Sequence, residues 1–463
     1  MGDSVPTLVA MKLQQGWGTP LVRAADNLSG DTMGILRFIL AVCVILGHAG
    51  FHFAVEGGTA VQCFYILSGF FMTMILTEKY NQKGQVGLYF ENRFLRLFSV
   101  YWIFLGFNVA LSALNHFVHH SGTLSRWIES WHHLTLIDRA SLIFSNVFMI
   151  GHDWASLFEL GSHGIQRVAD FKSPNPFLPT LFFIPQTWTL GIEITFYILA
   201  PFLARRRWWI VMVIAVATFI LRAYLVSNGY RSGMWGNGFF PSEVGMFLLG
   251  TLSYKGYAAH KDKLHGPVTL VVAGLTLLIV LAFPYIGQDG PIFFTAPHIL
   301  LFTVLTVGIP ALFSVTRKLK WERTIGELSY PIYLSNEIFT QTLKRIPHIL
   351  SHPIFLALLT IGATTALSAV VIKFVDIPVN RYREMRLRKS RNRLAQVEAV
   401  ATIPSHDAAP GDSYLRVPWT YQIRLPFQFA RFKYGRAIRI APFRLFCIHL
   451  TIKQKKRRQQ WQS

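Results

Sequence analysis

The stretch GILRFILAVCVILGHAG, Gly34 to Gly50, is apolar except for Arg37 and His48. A run this hydrophobic reads as one helix. The eleven steps from Arg37 to His48 turn the chain by roughly 1100°, only ~20° past three full turns. The two side chains therefore share a face, about 16 Å apart along the axis. That face carries a guanidinium near one end, an imidazole near the other, and little else that is polar.

The surrounding chain explains why such a helix exists. It has 463 residues, 52% hydrophobic and only 15% charged, with a mean hydropathy of +0.37. A soluble chain normally carries about 25% charged residues. Apolar segments near bilayer length recur at 33–52, 59–77, 97–115, 187–204, 208–226, 237–254, 267–286, 293–315, 328–346 and 353–375. The fold class expected is all-α, a polytopic transmembrane helical bundle of about ten helices. A further run, 141–151, is too short to span and reads as interfacial or re-entrant.

Short-loop Lys and Arg prefer the cytoplasmic side. If the first helix runs outward, every even-numbered helix ends in a basic cluster. These are Lys79, Lys83, Arg93 and Arg96; Arg205 to Arg207; Lys255, Lys261 and Lys263; Arg317, Lys318 and Lys320; and the C-terminal tail. Both termini are then cytoplasmic. The net charge is +22, of which residues 381–463 hold +15 (19 Lys and Arg against 4 Asp and Glu). Three regions follow: a cytoplasmic segment 1–32, a membrane domain 33–380 and a basic tail 381–463. Residues 1–30 have no apolar core behind a basic start, so no cleavable signal peptide is expected.

The segment 116–186 reads as one long external loop, rich in His and Trp. Its HFVHH lacks a carboxylate partner and metal-ligand spacing, so an ordinary solvated loop is expected and no metal. The tail mixes basic residues with aromatics. For a chain already in the membrane, attraction to anionic membrane lipids explains it more simply than nucleic-acid binding. Cys43, Cys63 and Cys447 show no metal spacing, and the first two read as core packing.

Ionisable groups within apolar segments are costly and are candidates for function. Arg37 fits either a ligand contact or a basic anchor whose stem snorkels. His48 can take up and return a proton near neutral pH. Arg93 and Arg96, three residues apart, share a helix face. With Arg37 they gather three guanidinium groups at the inner surface, suited to phosphates. Glu193, in WTLGIEITFYILAP, falls at about the depth of His48, where a carboxylate fixes an imidazole's tautomer and raises its basicity. Glu243 is a weaker candidate of the same kind. Ser68 reads as a packing residue rather than a nucleophile.

Taken in order, these motifs resemble the integral-membrane acyltransferase family 3, bacterial enzymes that modify envelope and secreted glycans. The resemblance rests on Arg37 and His48, on FYILSGF around Ser68, on Arg93-x-x-Arg96, and on the helix of Glu193. ELSYPIYLSNEIF, which holds Tyr330, looks like the family's Ser-Tyr…Tyr-Leu helix. The match covers about residues 33–380. Tyr65 replaces the usual second Phe, and Asn336 falls where many members carry His. The resemblance implies transfer of an acyl group, usually acetyl, from acetyl-CoA or another acyl-CoA to a hydroxyl of a carbohydrate or glycolipid acceptor. By the same implication, Arg37, Arg93 and Arg96 hold the coenzyme's phosphates, His48 activates the hydroxyl or relays the acyl group, and Glu193 orients His48. A transporter or flippase using the same polar groups is the alternative, though no inverted repeat is visible.

Overall fold

The computed structural model describes residues 33–401 except for short stretches at 51–53, 83, 173–174, 176, 231–234, 236–237, 287–294, 318, 347–348 and 350–351. Residues 421–422 and 451–452 are also described, and side chains are described to residue 392. The N-terminal segment, Cys447 and the rest of the basic tail lie outside the described residues. The described chain is helical: α1 Gly34–His48, α2 Gly57–Glu78, α3 Val86–His119, α4 Thr123–Ser130, α5 Leu136–Phe148, α6 Trp188–Leu203, α7 Trp208–Ser227, α8 Phe240–His260, α9 Pro267–Ile286, α10 Ala296–Thr316, α11 Lys320–Leu343, α12 Pro353–Val371 and α13 Ile377–Ala401.

Among the described residues six helices are long and apolar enough to cross a membrane: α2, α3, α7, α9, α10 and the helix that begins with α12. Four of the ten expected segments are not among them. Of these, α1 has 15 residues and α6 has 16, about 23 Å each at 1.5 Å per residue against a hydrocarbon core near 30 Å. The other two, α8 and α11, bury polar side chains such as Glu243, Glu322 and Asn336. Helices α7, α9 and α12 keep much of their apolar surface exposed, whereas α2 is buried almost all round. The interior helices accordingly carry the polar groups.

The inner pairs pack backbone to backbone. A Cβ on Gly69 of α2 would lie 1.9 Å from the Phe247 carbonyl oxygen, and one on Gly250 of α8 would lie 1.9 Å from that of Ile66. Small residues let membrane helices approach this closely. Between α1 and α11, the buried Glu322 carboxylate accepts from the backbone N–H groups of Gly34 at 2.8 Å and Ile35 at 3.2 Å. These are first-turn donors with no partner inside the helix. Cys43 and Cys63 are both free and buried.

The segment 116–186 is not a plain loop. It begins with the last turn of α3 and contains α4, α5 and an antiparallel hairpin pairing Phe158–Gly161 with Gly164–Arg167. A small core of its own holds it, including Trp127, Leu142, Leu181 and Phe182. The start of α5 is fixed by a capping box between Thr135 and Asp138, which satisfies orphan donors at its first turn. The 141–151 run lies partly in this 13-residue helix. At the other end, α12 passes through a π-helical turn, Ile372–Asp376, into α13. The boundary expected at residue 380 therefore falls inside a helix. Residues beyond it dock back onto the bundle, Arg386 on Glu91 and Lys79 on Glu384.

Within the 116–186 segment, hereafter the cap, His152 stacks on Phe182 with ring centroids 3.6 Å apart and meets the Thr187 hydroxyl at 2.8 Å. Burial holds His152 down to about 3 and pushes its neighbour Asp153 up to about 6. Because the Asp153 carboxyl is raised from 3.8, the folded state binds the extra proton between about pH 4 and 6. Above pH 6 the ionised group opposes folding by roughly 2–3 kcal/mol, and that opposition fades as pH falls toward 4. Asp153→Asn is therefore expected to raise thermal stability at pH 7.5 and to leave it unchanged near pH 4. His152 is common to both proteins and cancels in the comparison.

Candidate active site

Helices α1, α2, α3, α6 and α11 enclose a cavity of about 120 Å³ lined by Arg37, Ser68, Arg93, Arg96, Glu193, Tyr330 and Tyr333, among others. Six residues singled out in the sequence thus meet in one space, contributed by five helices. Arg93 and Arg96 reach it from one face of α3, and Arg93 is buried with its guanidinium 6.0 Å from the Tyr197 ring centroid. Arg37 comes from α1, 5.9 Å from the Phe71 ring centroid.

The arginine end contains groups that sequence reading missed. Asp376, at the end of the π turn, lies within electrostatic range of Arg37, Arg96 and Arg383. Glu327 of α11 feels Arg37, Arg96 and Arg323. Asp376 also accepts from the Asn380 amide at 2.7 Å. Four arginines thus face two carboxylates, and the cluster keeps a net positive charge. A π turn inside a long helix often marks a functional site, but nothing in the local sequence announces this one.

Glu193 sits partway down the cavity. One of its oxygens accepts from the Ser68 hydroxyl at 2.6 Å and from the Tyr197 hydroxyl at 2.6 Å, lengths typical of hydroxyls donating to a carboxylate. The expectation that Glu193 orients His48 is corrected here. Its partners stand on α2 and on α6 itself, whereas the partners of His48 stand on α11. Tyr330 donates to the Leu97 carbonyl at 2.8 Å and ties α11 to α3. Glu243 lies apart from the cavity lining. It is fully buried, pairs with Arg222 of α7, and accepts from Gln62 of α2 at 3.2 Å. Its place is that of an interhelical tie.

His48 closes the far end of α1. Its Nδ1 lies 2.8 Å from Asn336 Oδ1 and 3.0 Å from Glu337 Oε2. The Asn336 amide is oriented by its donation to the Tyr333 carbonyl at 2.7 Å, so its oxygen faces the imidazole. With two acceptors at Nδ1, that nitrogen carries the proton and Nε2 is left basic. Gln341 holds the other Glu337 oxygen at 2.7 Å. The imidazole is not sealed in, its side chain being 37% exposed. Asn336 is thus the residue that meets His48, although the sequence marks it only as a departure from a pattern. Glu337 gives no signal beyond being its neighbour.

Two spaces border α11 near this pair. Tyr333, one turn below Glu337 on α11, lines the arginine cavity. Glu337 itself lines a second cleft of about 290 Å³, more than twice the volume and about half polar in its lining, on the cap side. The carboxylate bonded to His48 therefore borders the polar cleft, one turn along α11 from Tyr333 in the cationic cavity. Among the described residues no group of three or more His, Cys, Asp or Glu side chains gathers as a metal would require.

The chain is 22% identical over 371 residues to the peptidoglycan O-acetyltransferase OatA of Listeria monocytogenes, covering 75% of this chain and 55% of that protein. It thus spans little more than half the length of that relative. An uncharacterized protein of Aquifex aeolicus is 25% identical over 209 residues, covering 44% of this chain and 91% of that one. No solved structure matches. The family described as "Acyltransferase domain" matches residues 32–373, from the start of α1 into the π turn after α12, and the chain belongs to that acyltransferase family.

Proposed function

We propose that the protein is a membrane O-acyltransferase that moves an acyl group, acetyl in the simplest case, from acyl-CoA to a hydroxyl of a cell-envelope or secreted carbohydrate. The observation that carries this reading is the His48–Glu337 pair, whose carboxylate borders the polar cleft one turn along α11 from the arginine cavity. In this reading the bundle lies in the bacterial inner membrane with about ten crossings, both termini and the arginine end in the cytoplasm, and the cleft outside. Arg37, Arg93 and Arg96 receive the phosphates of the coenzyme. The thioester end extends past Glu193 toward His48, about 16 Å from Arg37 along α1.

His48 Nε2 takes the proton of the acceptor hydroxyl as its oxygen attacks the thioester carbonyl. The new C–O bond forms, the C–S bond breaks, and the proton passes from His48 to the departing thiolate. Asn336 and Glu337 hold the tautomer, and Glu337 stabilises the imidazolium formed in between. Glu193, gripped by Ser68 and Tyr197, is a positioning residue on the donor path. The test is purified protein in nanodiscs with labelled acetyl-CoA and an envelope glycan. Ester on the glycan with matching release of CoA thiol is expected; glycan movement without ester formation would instead favour a transporter.

The arginines give a separable prediction. Replacing Arg37, Arg93 or Arg96 by Gln removes a charge-assisted contact worth about 1.5–3 kcal/mol. Each variant is expected to raise KM for acetyl-CoA by roughly 10- to 100-fold with a smaller change in kcat. The difference should shrink with acetyl-pantetheine, which lacks the phosphates. Equal losses with both donors would remove these residues from phosphate binding.

A further inference from the structure

The polar cleft adjoins a second space of opposite character. On one side of Phe183 lies the 290 Å³ cleft that contains Asn115, Arg126, Glu337, Gln341 and Arg345. On its other side, between α3 and the cap helices α4 and α5, is a groove of about 560 Å³ lined by Leu105, Trp127, Ile128, Trp131 and Ile143, with Phe183 again in its wall. Ile128, Trp131 and Ile143 are 48%, 41% and 52% exposed. Helix α4 supplies both: Arg126 faces the cleft while Trp127 and Ile128 face the groove.

We propose that this paired site binds a lipid-linked saccharide through the phosphate that joins lipid to sugar. The inference rests on the transferase reading and names the class of its acceptor. The geometry assigns one part of such a molecule to each surface. A hydrocarbon chain fits the aromatic-lined groove, whose tryptophans suit the membrane interface. The phosphate fits Arg126 and Arg345, which fork onto phosphate oxygens. Arg345 already donates to Asn115 at 2.7 Å, which holds its guanidinium over the cleft. The sugar then extends along α11, past Gln341, to Glu337. From Glu337 to the end of α11 at Leu343 is roughly 9 Å at 1.5 Å per residue, with Arg345 beyond it, space for a short saccharide between the phosphate and His48. A free saccharide would leave both the arginines and the groove unused.

The test needs no acyl transfer. Protein in nanodiscs of zwitterionic lipid is titrated with undecaprenyl phosphate or with undecaprenol, and occupancy is read by native mass spectrometry. The phosphate form is expected to bind at least tenfold more tightly. Arg126→Gln/Arg345→Gln should lose that preference, and Arg126→Lys/Arg345→Lys should keep most of it, which separates charge from misfolding. Equal binding of the two lipids, full binding by the Gln double variant, or displacement by an equal amount of phosphatidylglycerol would each overturn the proposal. Failure of the transferase reading appears elsewhere, as acetyl-CoA left intact with every acceptor offered.

Discussion

His48→Ala is expected to reduce acyl transfer by about 10²- to 10⁴-fold, the range that a positioned general acid–base contributes. The loss should fall on kcat. The arginine cavity that would take the coenzyme does not include His48, so KM for acetyl-CoA should change little. The variant should also fold, because the side chain it removes is 37% exposed and α1 is held at its other end by Glu322. Glu337→Gln makes a finer test. It keeps the shape and one acceptor for Nδ1 but removes the charge that faces the imidazolium. It should cost less than His48→Ala, because the imidazolium loses its carboxylate while Nδ1 keeps an acceptor. Full activity in His48→Ala would remove the histidine from the chemistry.

What could be read in the sequence was whatever stood out against an apolar background. Arg37, Arg93, Arg96, Ser68 and Glu193 are polar groups in greasy helices, and they converge on one cavity. Their partners were less visible. His48 meets Asn336 across a sequence separation of 288, and one helix's periodicity does not say which face of α11 will meet α1. In the sequence, only depth links Glu193 to His48. Depth does not fix which helices are neighbours, and α6 lies against α2 while α11 lies against α1. The helices of the cap have 8 and 13 residues, too short to stand out as bilayer-length runs. Thr135 and Asp138, and the apolar run 141–151, are its local signals. The start of α13 was hidden by its charge: a basic run reads as a solvated tail, yet Arg386 and Glu384 pair with the bundle.

Gly34→Ala carries the second large effect, since it strikes the frame that holds His48 in place. Helices α1 and α11 run parallel and in register. Gly34 meets Glu322 and His48 meets Asn336 at the same separation of 288 residues. A Cβ at Gly34 would lie 1.8 Å from the Glu322 carbonyl oxygen and 2.6 Å from the Gly326 nitrogen. Both are backbone atoms, so no change of rotamer relieves the clash. The helices must separate, and the two bonds from Glu322 to the first turn of α1 would lengthen or break. Overpacking of this kind costs about 1–3 kcal/mol and sometimes more; a backbone contact belongs at the upper end. Loss of most folded protein after mild heating is expected, read by size exclusion in detergent. Transfer by the surviving fraction should fall at least tenfold, because α1 is the lever that sets His48 against Glu337. Gly274→Ala, in α9, is the control: nothing lies within 4 Å of its added Cβ, and Ala is the better helix former. Should Gly34→Ala match Gly274→Ala in heat survival and turnover, the close parallel contact of α1 and α11 would not be what positions the histidine.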